Sequence, residues 1–318
     1  MPIAAKYVLR RAAFSLATLL VVGLLLYLLA FHFYQLVVTG HLDALFPAYQ
    51  VQYFHFDQPL VQGFFGWLGE LLQGNLGRSI PGAPVVSVVG PWILPTVFLQ
   101  VPAVVTSLVL GLVLGVFAAS RRGSRVDRVI SAASVGSFGV PTFWLSIVAI
   151  LVFSYELRWL PSFGEYSSYP PYWWGSVSLD LVAHYILPFS VLVAVSTPLY
   201  VRVARATAVE VFSKDWVTAL SLSAVSRRRL VYKHVLRNAA GPALSLFGYN
   251  LAVFIAASPG IEVVFSWPGL GFRFVKAALA FDQTVMLAIV LIMALVTVVA
   301  SFAVDMVQAA LDPRVSLS

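Results

Sequence analysis

The stretch QTVMLAIVLIMALVTVVASFAV, from Gln283 to Val304, contains no Asp, Glu, Lys or Arg. A helix needs about 20 consecutive apolar residues to cross the hydrocarbon core of a bilayer, so this stretch is predicted to be a membrane span. Hydrophobic residues make up 60% of the whole chain and charged residues 10%. Soluble domains have about 45–50% hydrophobic residues and about 25% charged residues, so this chain has too few charges for a water-exposed surface. The composition therefore predicts an integral membrane protein.

Five further stretches also lack charged residues: Ala12–Leu42, Ser79–Ser120, Val129–Tyr155, Leu181–Val201 and Asn238–Ile261. Ser79–Ser120 is too long for one helix, and its first part contains four prolines. We therefore expect an extended lead-in followed by a helix from about Thr96 to Ala119. The predicted fold is an all-α membrane protein with six transmembrane helices. A five-span alternative would discard Leu181–Val201, the most polar and proline-interrupted stretch.

The distribution of positive charge predicts the orientation. The N-terminus, Arg121–Arg128, Tyr200–Arg237 and the C-terminus together hold 16 of the 20 Lys and Arg residues. Cytoplasmic loops carry an excess of Lys and Arg, so the N- and C-termini are both predicted to be cytoplasmic. The net charge of +7 is then a topology signal, and no nucleic-acid partner is expected.

The same topology divides the chain into three regions. Residues 1–31 would form the cytoplasmic N-terminus and the first transmembrane helix, which is predicted to be an uncleaved anchor. Residues 32–95 would form an extracytoplasmic, aromatic-rich region, either a packed subdomain or a helix at the membrane interface. Residues 96–318 would form a five-helix core with a large cytoplasmic loop near residues 210–238.

The sequence lacks the common catalytic and metal-binding patterns. The chain has no Cys, which excludes disulfides and thiolate metal sites. None of the lysines follows Gly or precedes Ser or Thr, so a phosphate-binding loop is absent, and neither His-Glu-x-x-His nor Gly-x-Ser-x-Gly occurs. We therefore predict no catalytic residues, no metal site and no cofactor bound by this chain. The predicted span cores contain few ionisable residues, which disfavours an ion-coupled carrier.

Several longer motifs carry a resemblance to a known family. GNLGRS at Gly74–Ser79, the run Gly111–Ser124, PTFWL at Pro141–Leu145 and WLPSFG at Trp159–Gly164 occur in order. The most specific motifs follow: KDWV at Lys214–Val217, HVLRN at His234–Asn238, EVVFSWPGLG at Glu262–Gly271 and DPR at Asp312–Arg314. Together they resemble the permease subunit of dipeptide/oligopeptide-type ABC importers. The resemblance implies a type I ABC-importer-like permease that crosses the inner (cytoplasmic) membrane several times.

The resemblance also implies two functional segments. The first is a loop that couples the permease to its ATPases, with these candidate residues: Asp215, Trp216, Ala219, Ala224, Arg228, His234, Arg237 and Asn238. Ala224 stands where the family usually has glycine. An alternative for the arginines of this loop is a charge cluster that fixes topology or contacts anionic lipid.

The second implied segment is an external gate or docking point for a substrate-binding protein. Its candidate residues are Glu262, Phe265, Trp267, Pro268, Gly269 and Gly271. The alternative is a turn that only packs the subunit.

The implied partners are a second homologous permease subunit, two cytoplasmic ATPase subunits that use ATP and Mg, an extracytoplasmic substrate-binding protein and the lipid bilayer. The cargo could be peptides, oligosaccharides or nickel. Two other functions stay open at this point: a secondary carrier or channel that works alone, and a structural or assembly protein without transport.

Overall fold

The computed structural model describes residues 5–39, 48–166, 179–256 and 259–311, and the regular elements in these ranges are helical. The α-helices, in chain order, are α1 Ala5–Thr39, α2 Ala48–Phe54, α3 Leu60–Leu72, α4 Val85–Ser120, α5 Arg125–Gly136, α6 Thr142–Ala149, α7 Leu179–Phe212, α8 Asp215–Ser221, α9 Arg227–Arg229, α10 Leu236–Ala256, α11 Pro259–Val264, α12 Leu270–Leu279 and α13 Gln283–Leu311. Two π-helical segments, Ile150–Glu156 and Leu230–Val235, continue α6 and precede α10. The all-α prediction is confirmed.

Four helices within the described ranges are long and apolar enough to cross a membrane: Lys6–Thr39, Val85–Ser120, Leu179–Phe212 and Gln283–Met306. Large apolar side chains such as Leu16, Leu25 and Val299 are exposed on them, as expected of helices that are solvated by lipid rather than water. The stretch that a five-span count would discard lies within α7, which continues through Pro188 and Pro198.

The start of α4 differs from the prediction. The helix begins at Val85 and contains Pro91, Pro95 and Pro102, so the expected extended lead-in up to Pro95 is wrong. A proline removes one backbone hydrogen bond, but an apolar segment can remain helical through it, because neighbouring groups satisfy the freed carbonyl. The extended part is confined to the residues before Val85.

The predicted span Val129–Tyr155 is divided into two helices. α5 ends at Gly136, a short 3₁₀ turn follows at Ser137–Gly139, and α6 begins after Pro141. Val140 is extended, with φ −81° and ψ 118°, because the ring of the following proline disfavours the helical conformation there. Of the predicted span Asn238–Ile261, α10 accounts for the residues up to Ala256, and residues 257–258 lie outside the described ranges.

The chain forms two compact units. The first contains residues 1–97, 255–259 and 268–318, and the second contains residues 98–254 and 260–267. In the first unit, the buried aromatic residues Tyr27, Phe54, Phe56 and Trp67 pack together, and the Tyr27 hydroxyl donates a hydrogen bond to the Phe54 carbonyl at 3.1 Å. This burial favours the packed-subdomain alternative for the region around α2 and α3.

In the second unit, α4 and α7 lie close together. Gly111 and Gly115 of α4 face the backbone around Tyr200 and Val201 of α7, where an added Cβ atom would come within 2.2–2.7 Å of its nearest neighbour. Small residues spaced four apart allow two helix backbones to approach, which is a common means of packing membrane helices. The ends of α4 and α7 thereby form a rigid base for the loop that follows α7.

Candidate functional site

The predicted coupling loop folds into a short helical hairpin, residues 215–238, here called the coupling segment. α8 begins after Lys214, and a turn at residues 222–224 leads towards α9. The side chain of Ser226 accepts a hydrogen bond from the Arg229 amide at 3.4 Å, as an N-cap serine does at the start of a helix. The sequence thus sets the beginning of the second helical piece.

One face of the coupling segment is buried against the base formed by α4 and α7. Val217 of α8 and the π-helical residues Leu230, Val231 and Val235 are each less than 10% exposed. They pack in one cluster with side chains from α4 and α7, namely Val116, Ala119, Ala208 and Val211. Burial of one large apolar side chain contributes about 1.5–3 kcal/mol, so this contact holds the segment in place.

The opposite face carries most of the predicted coupling residues. Seven of the eight are exposed, and His234 is half-buried; the exposed ones are Asp215, Trp216, Ala219, Ala224, Arg228, Arg237 and Asn238. Leu222, at the end of α8, is 84% exposed, and Trp216 is 40% exposed. The exposed predicted residues, which include apolar and basic side chains, are therefore accessible to a partner.

Ala224 lies in the turn between α8 and α9. Its φ is not positive, since the described non-glycine residues with positive φ are His55, Arg158, Ser266 and Phe281. Alanine is therefore compatible with this turn without backbone strain. The side chain is exposed within the chain itself, so any tight packing around it would have to come from a partner.

An ion pair that is not evident from the sequence stabilises the base. Arg205 of α7 donates two hydrogen bonds to the Asp127 carboxylate, from Nε at 2.6 Å and from Nη2 at 2.8 Å. The same carboxylate accepts a hydrogen bond from the Gly123 amide at 2.9 Å, while the Ser124 side chain accepts one from the Asp127 amide at 3.2 Å. The Arg205 guanidinium is the main cause that lowers the pKa of Asp127 from 3.8 to about 2. The pair fixes the loop after α4 to α7.

A second buried carboxylate contacts the residue that follows the GNLGRS motif in the first unit. Asp282, which precedes α13, accepts hydrogen bonds from the Ile80 amide at 3.0 Å and the Val285 amide at 3.3 Å. Its preference for the N-cap position was readable from the sequence, but its contact with residue 80 was not. The single proton of the Tyr49 hydroxyl is shared between the carbonyls of Ser79 and Ile80, which lie 2.9 and 2.8 Å from the hydroxyl oxygen. These bonds fix the loop between α3 and α4.

Three residues of the predicted external segment are buried in the second unit. Glu262, Phe265 and Trp267 are at most 2% exposed. The Trp267 amide donates to the Glu262 carbonyl at 2.8 Å, and the Gly164 amide donates to the Phe265 carbonyl at 2.8 Å. Their burial agrees with the packing alternative for these side chains.

The other three residues of that segment lie in the first unit. Gly269 is the N-cap of α12 and Pro268 is half-buried. An added Cβ atom on Gly271 would lie 2.5 Å from the Pro259 backbone, so this glycine permits a close approach of two segments. At Gly271 the close approach is compatible with the packing alternative.

Comparison with known proteins agrees with this architecture. The family described as "Binding-protein-dependent transport system inner membrane component" matches residues 111–317. The glutathione transport system permease protein GsiC of Escherichia coli (strain CFT073) is 31% identical over 98% of both chains. The oligopeptide transport system permease protein AppB of Bacillus subtilis (strain 168) is 30% identical over 83% of both chains.

A solved structure supports the fold. The inward-facing MetNI methionine ABC transporter superposes with a TM-score of 0.57 and 16% sequence identity, covering 70% of this chain and 96% of that chain. At this identity the similarity shows the fold alone, which is that of a type I ABC importer permease. The resemblance inferred from the sequence motifs is confirmed. The chain therefore belongs to the family of binding-protein-dependent transport system inner membrane components, and its relatives include peptide-type ABC importer permeases.

Proposed function

We propose that this chain is the permease subunit of an ATP-driven importer that carries small peptides across the inner membrane. The observation that carries this proposal is the similarity to the glutathione permease over 98% of both chains. The second relative is named as an oligopeptide permease, and glutathione is itself a small peptide, so peptides are favoured as cargo over oligosaccharides and nickel. The permease itself hydrolyses no nucleotide in this proposal.

We further propose six membrane spans with cytoplasmic N- and C-termini. α10 has 21 residues and is about 32 Å long, which matches a bilayer core of about 30 Å. The apolar segment Thr142–Glu156 is shorter and would need local thinning of the bilayer. Together with the four long helices, Thr142–Glu156 would be the third span and α10 the fifth. The bias of Lys and Arg supports the orientation.

The orientation can be tested by cysteine labelling, because the chain has no native Cys. We expect Ser223→Cys, in the turn after α8, to be protected from a membrane-impermeant thiol reagent in intact cells. Gln58→Cys, between α2 and α3, should be labelled. Both positions are exposed within the chain, so a difference does not arise from burial in the permease itself. Labelling at residue 223 with protection at residue 58 would reverse the proposed orientation.

In the proposed complex, this chain forms the translocation path with a second permease subunit. Two cytoplasmic ATPase subunits would use ATP and Mg, and a substrate-binding protein would deliver the peptide from outside. The coupling segment supports this arrangement, since one face is fixed to α4 and α7 while the other exposes Trp216, Leu222 and several arginines. An apolar patch surrounded by basic groups on a rigid base is suited to docking in a groove of a protein partner.

The coupling role predicts a strong effect of Ala224→Arg. If the turn enters a groove of an ATPase, the larger side chain should overfill the contact at a cost of about 1–3 kcal/mol, equivalent to about 5–150-fold in affinity. Insertion in the membrane should be unaffected, because the residue is exposed and lies in a turn. The measurements are the yield of ATPase subunits on co-purification and substrate-stimulated ATP hydrolysis by the assembled complex.

Gln73→Arg is a matched control, since it adds the same charge at an exposed position after α3. It should leave both readouts unchanged, and the purified permease alone should show no hydrolysis. Normal docking and stimulation in Ala224→Arg would remove this turn from the interface. Peptide flux in proteoliposomes that contain only this chain would instead support a stand-alone carrier or channel.

A further inference from the structure

A cavity of about 370 Å³ lies beside the coupling segment in the second unit. Three arginines line it, Arg121, Arg227 and Arg228, together with an apolar wall formed by Phe117, Val231 and Tyr232. None of the described residues that line the cavity is Asp or Glu. A concave site with three guanidinium groups and no carboxylate has the charge of an anion-binding site.

Two of the three arginines are held by contacts that leave N–H donors available. The Arg121 guanidinium lies 4.6 Å from the centroid of the Phe117 ring, and Arg227 donates from Nη2 to the Ser120 carbonyl at 3.0 Å. Within the described part of the chain, Arg121 and Arg228 form no ion pair with a carboxylate. The charge of both groups is therefore not neutralised by the protein.

The place of the cavity in the fold points to a lipid. α4 contains no charged residue and ends at Ser120, so Arg121 is the first charged residue after this candidate span. The end of an apolar helix followed by arginines is typical of the level of the lipid headgroups. Basic pockets between helices at this level bind acidic headgroups, and the apolar wall would contact the glycerol region of a lipid.

We propose that this cavity binds the phosphate group of an anionic phospholipid headgroup. The planar guanidinium matches two phosphate oxygens at once, so three arginines can surround one phosphate. Free inorganic phosphate shares this chemistry but would leave the apolar wall of the cavity uncovered. The site goes beyond the proposed import function and does not depend on it. In this proposal Arg228, a predicted coupling residue, also binds lipid, and it would do so even when no ATPase is bound.

The test uses the full chain, purified in a non-ionic detergent and titrated with spin-labelled phosphatidylglycerol. The fraction of motionally restricted lipid measures binding. Arg121→Gln and Arg228→Gln should each weaken binding about fivefold, which corresponds to about 1 kcal/mol for each basic group. Arg227 is left unchanged because its contact with Ser120 contributes to folding.

Arg122→Gln and Arg229→Gln are matched controls, since both arginines are exposed neighbours that do not line the cavity. They should change binding by less than about twofold, because charges on an open surface are screened by salt. Spin-labelled phosphatidylcholine should bind more weakly than phosphatidylglycerol to the wild-type chain. Equal losses in the control and cavity variants, or no preference for phosphatidylglycerol, would overturn the proposal.

Two further arms identify the source of the anion. Displacement of the labelled lipid by millimolar inorganic phosphate would retain the phosphate site but assign it to free phosphate, whereas persistence of the bound lipid supports the headgroup. Co-purification with the ATPase subunits distinguishes a protein partner. If Arg121→Gln abolishes ATPase binding and leaves lipid binding intact, the arginines contact a protein and the lipid site is excluded.

Discussion

Replacing Gly111 with alanine is expected to destabilise the second unit strongly. The new Cβ atom would lie 2.2 Å from Cβ of Tyr200 and 3.0 Å from the carbonyl carbon of the same residue. Backbone atoms and a Cβ atom cannot rotate away, so α4 and α7 would have to separate. Overfilling of a packed contact costs about 1–3 kcal/mol, and we expect the upper end here because both helices are long. The loss of thermal stability is measured by heating the detergent-purified chain and quantifying the monodisperse protein that remains by size-exclusion chromatography.

Gly136→Ala provides a control in the same unit, since Gly136 has a helical backbone (φ −63°, ψ −33°) and an added Cβ atom there meets no atom within 4 Å. Alanine is a better helix former than glycine by about 1 kcal/mol, so this variant should be neutral or slightly more stable. The double variant of Gly111 and Gly115 should yield almost no monodisperse protein, because the second Cβ atom would lie 2.7 Å from the Val201 carbonyl oxygen. Equal melting of Gly111→Ala and the wild-type chain would show that α4 and α7 are not packed as closely as described.

An uninterrupted apolar stretch without proline is enough to predict a helix from the sequence. Gln283–Val304 lies within α13, whose first residue is Gln283, because an uninterrupted apolar run has few alternatives to a helix in lipid. The prediction was less successful wherever prolines decide the boundary. Pro91 and Pro95 are accommodated within α4, whereas Pro141 follows a break between α5 and α6. The difference depends on which neighbours satisfy the freed carbonyls, and local sequence does not contain that information.

In the candidate site, too, local features can be predicted from the sequence, whereas contacts between distant residues cannot. The start of α9 at Ser226 and the amphipathic pattern of the coupling segment are local, so the sequence indicates them. The Asp127–Arg205 pair joins residues 78 positions apart, and the Ile80–Asp282 hydrogen bond joins residues 202 positions apart. Such contacts depend on how the helices assemble. The proposed partners rest on the family resemblance, because an exposed side chain does not by itself specify what binds to it.

The Asp127–Arg205 pair carries the second large expected effect. Asp127→Asn keeps the size of the side chain but removes the charge that Arg205 faces. Loss of one partner of a buried ion pair costs about 3–5 kcal/mol, and we expect about 3 kcal/mol because the Arg205 side chain is 31% exposed. The asparagine carboxamide keeps only one acceptor oxygen, so it cannot accept both Arg205 hydrogen bonds and the Gly123 hydrogen bond in the same geometry. A double-mutant cycle with Arg205→Gln measures the interaction free energy between the two side chains. This free energy is zero if the two residues do not interact.

The pH dependence of the same pair provides an independent check. The pKa of Asp127 is lowered to about 2 from its ordinary 3.8, so the pair stabilises the fold fully at pH values above 3.8. The stability difference between the wild-type chain and Asp127→Asn should therefore be constant near neutral pH. It should shrink as the pH falls below 3.8 and disappear as the carboxylate is protonated near pH 2. Glu210→Gln, which removes the exposed Lys214–Glu210 pair, should change stability by less than about 0.5 kcal/mol. A comparable loss in both variants would mean that Asp127 is no more than a surface charge.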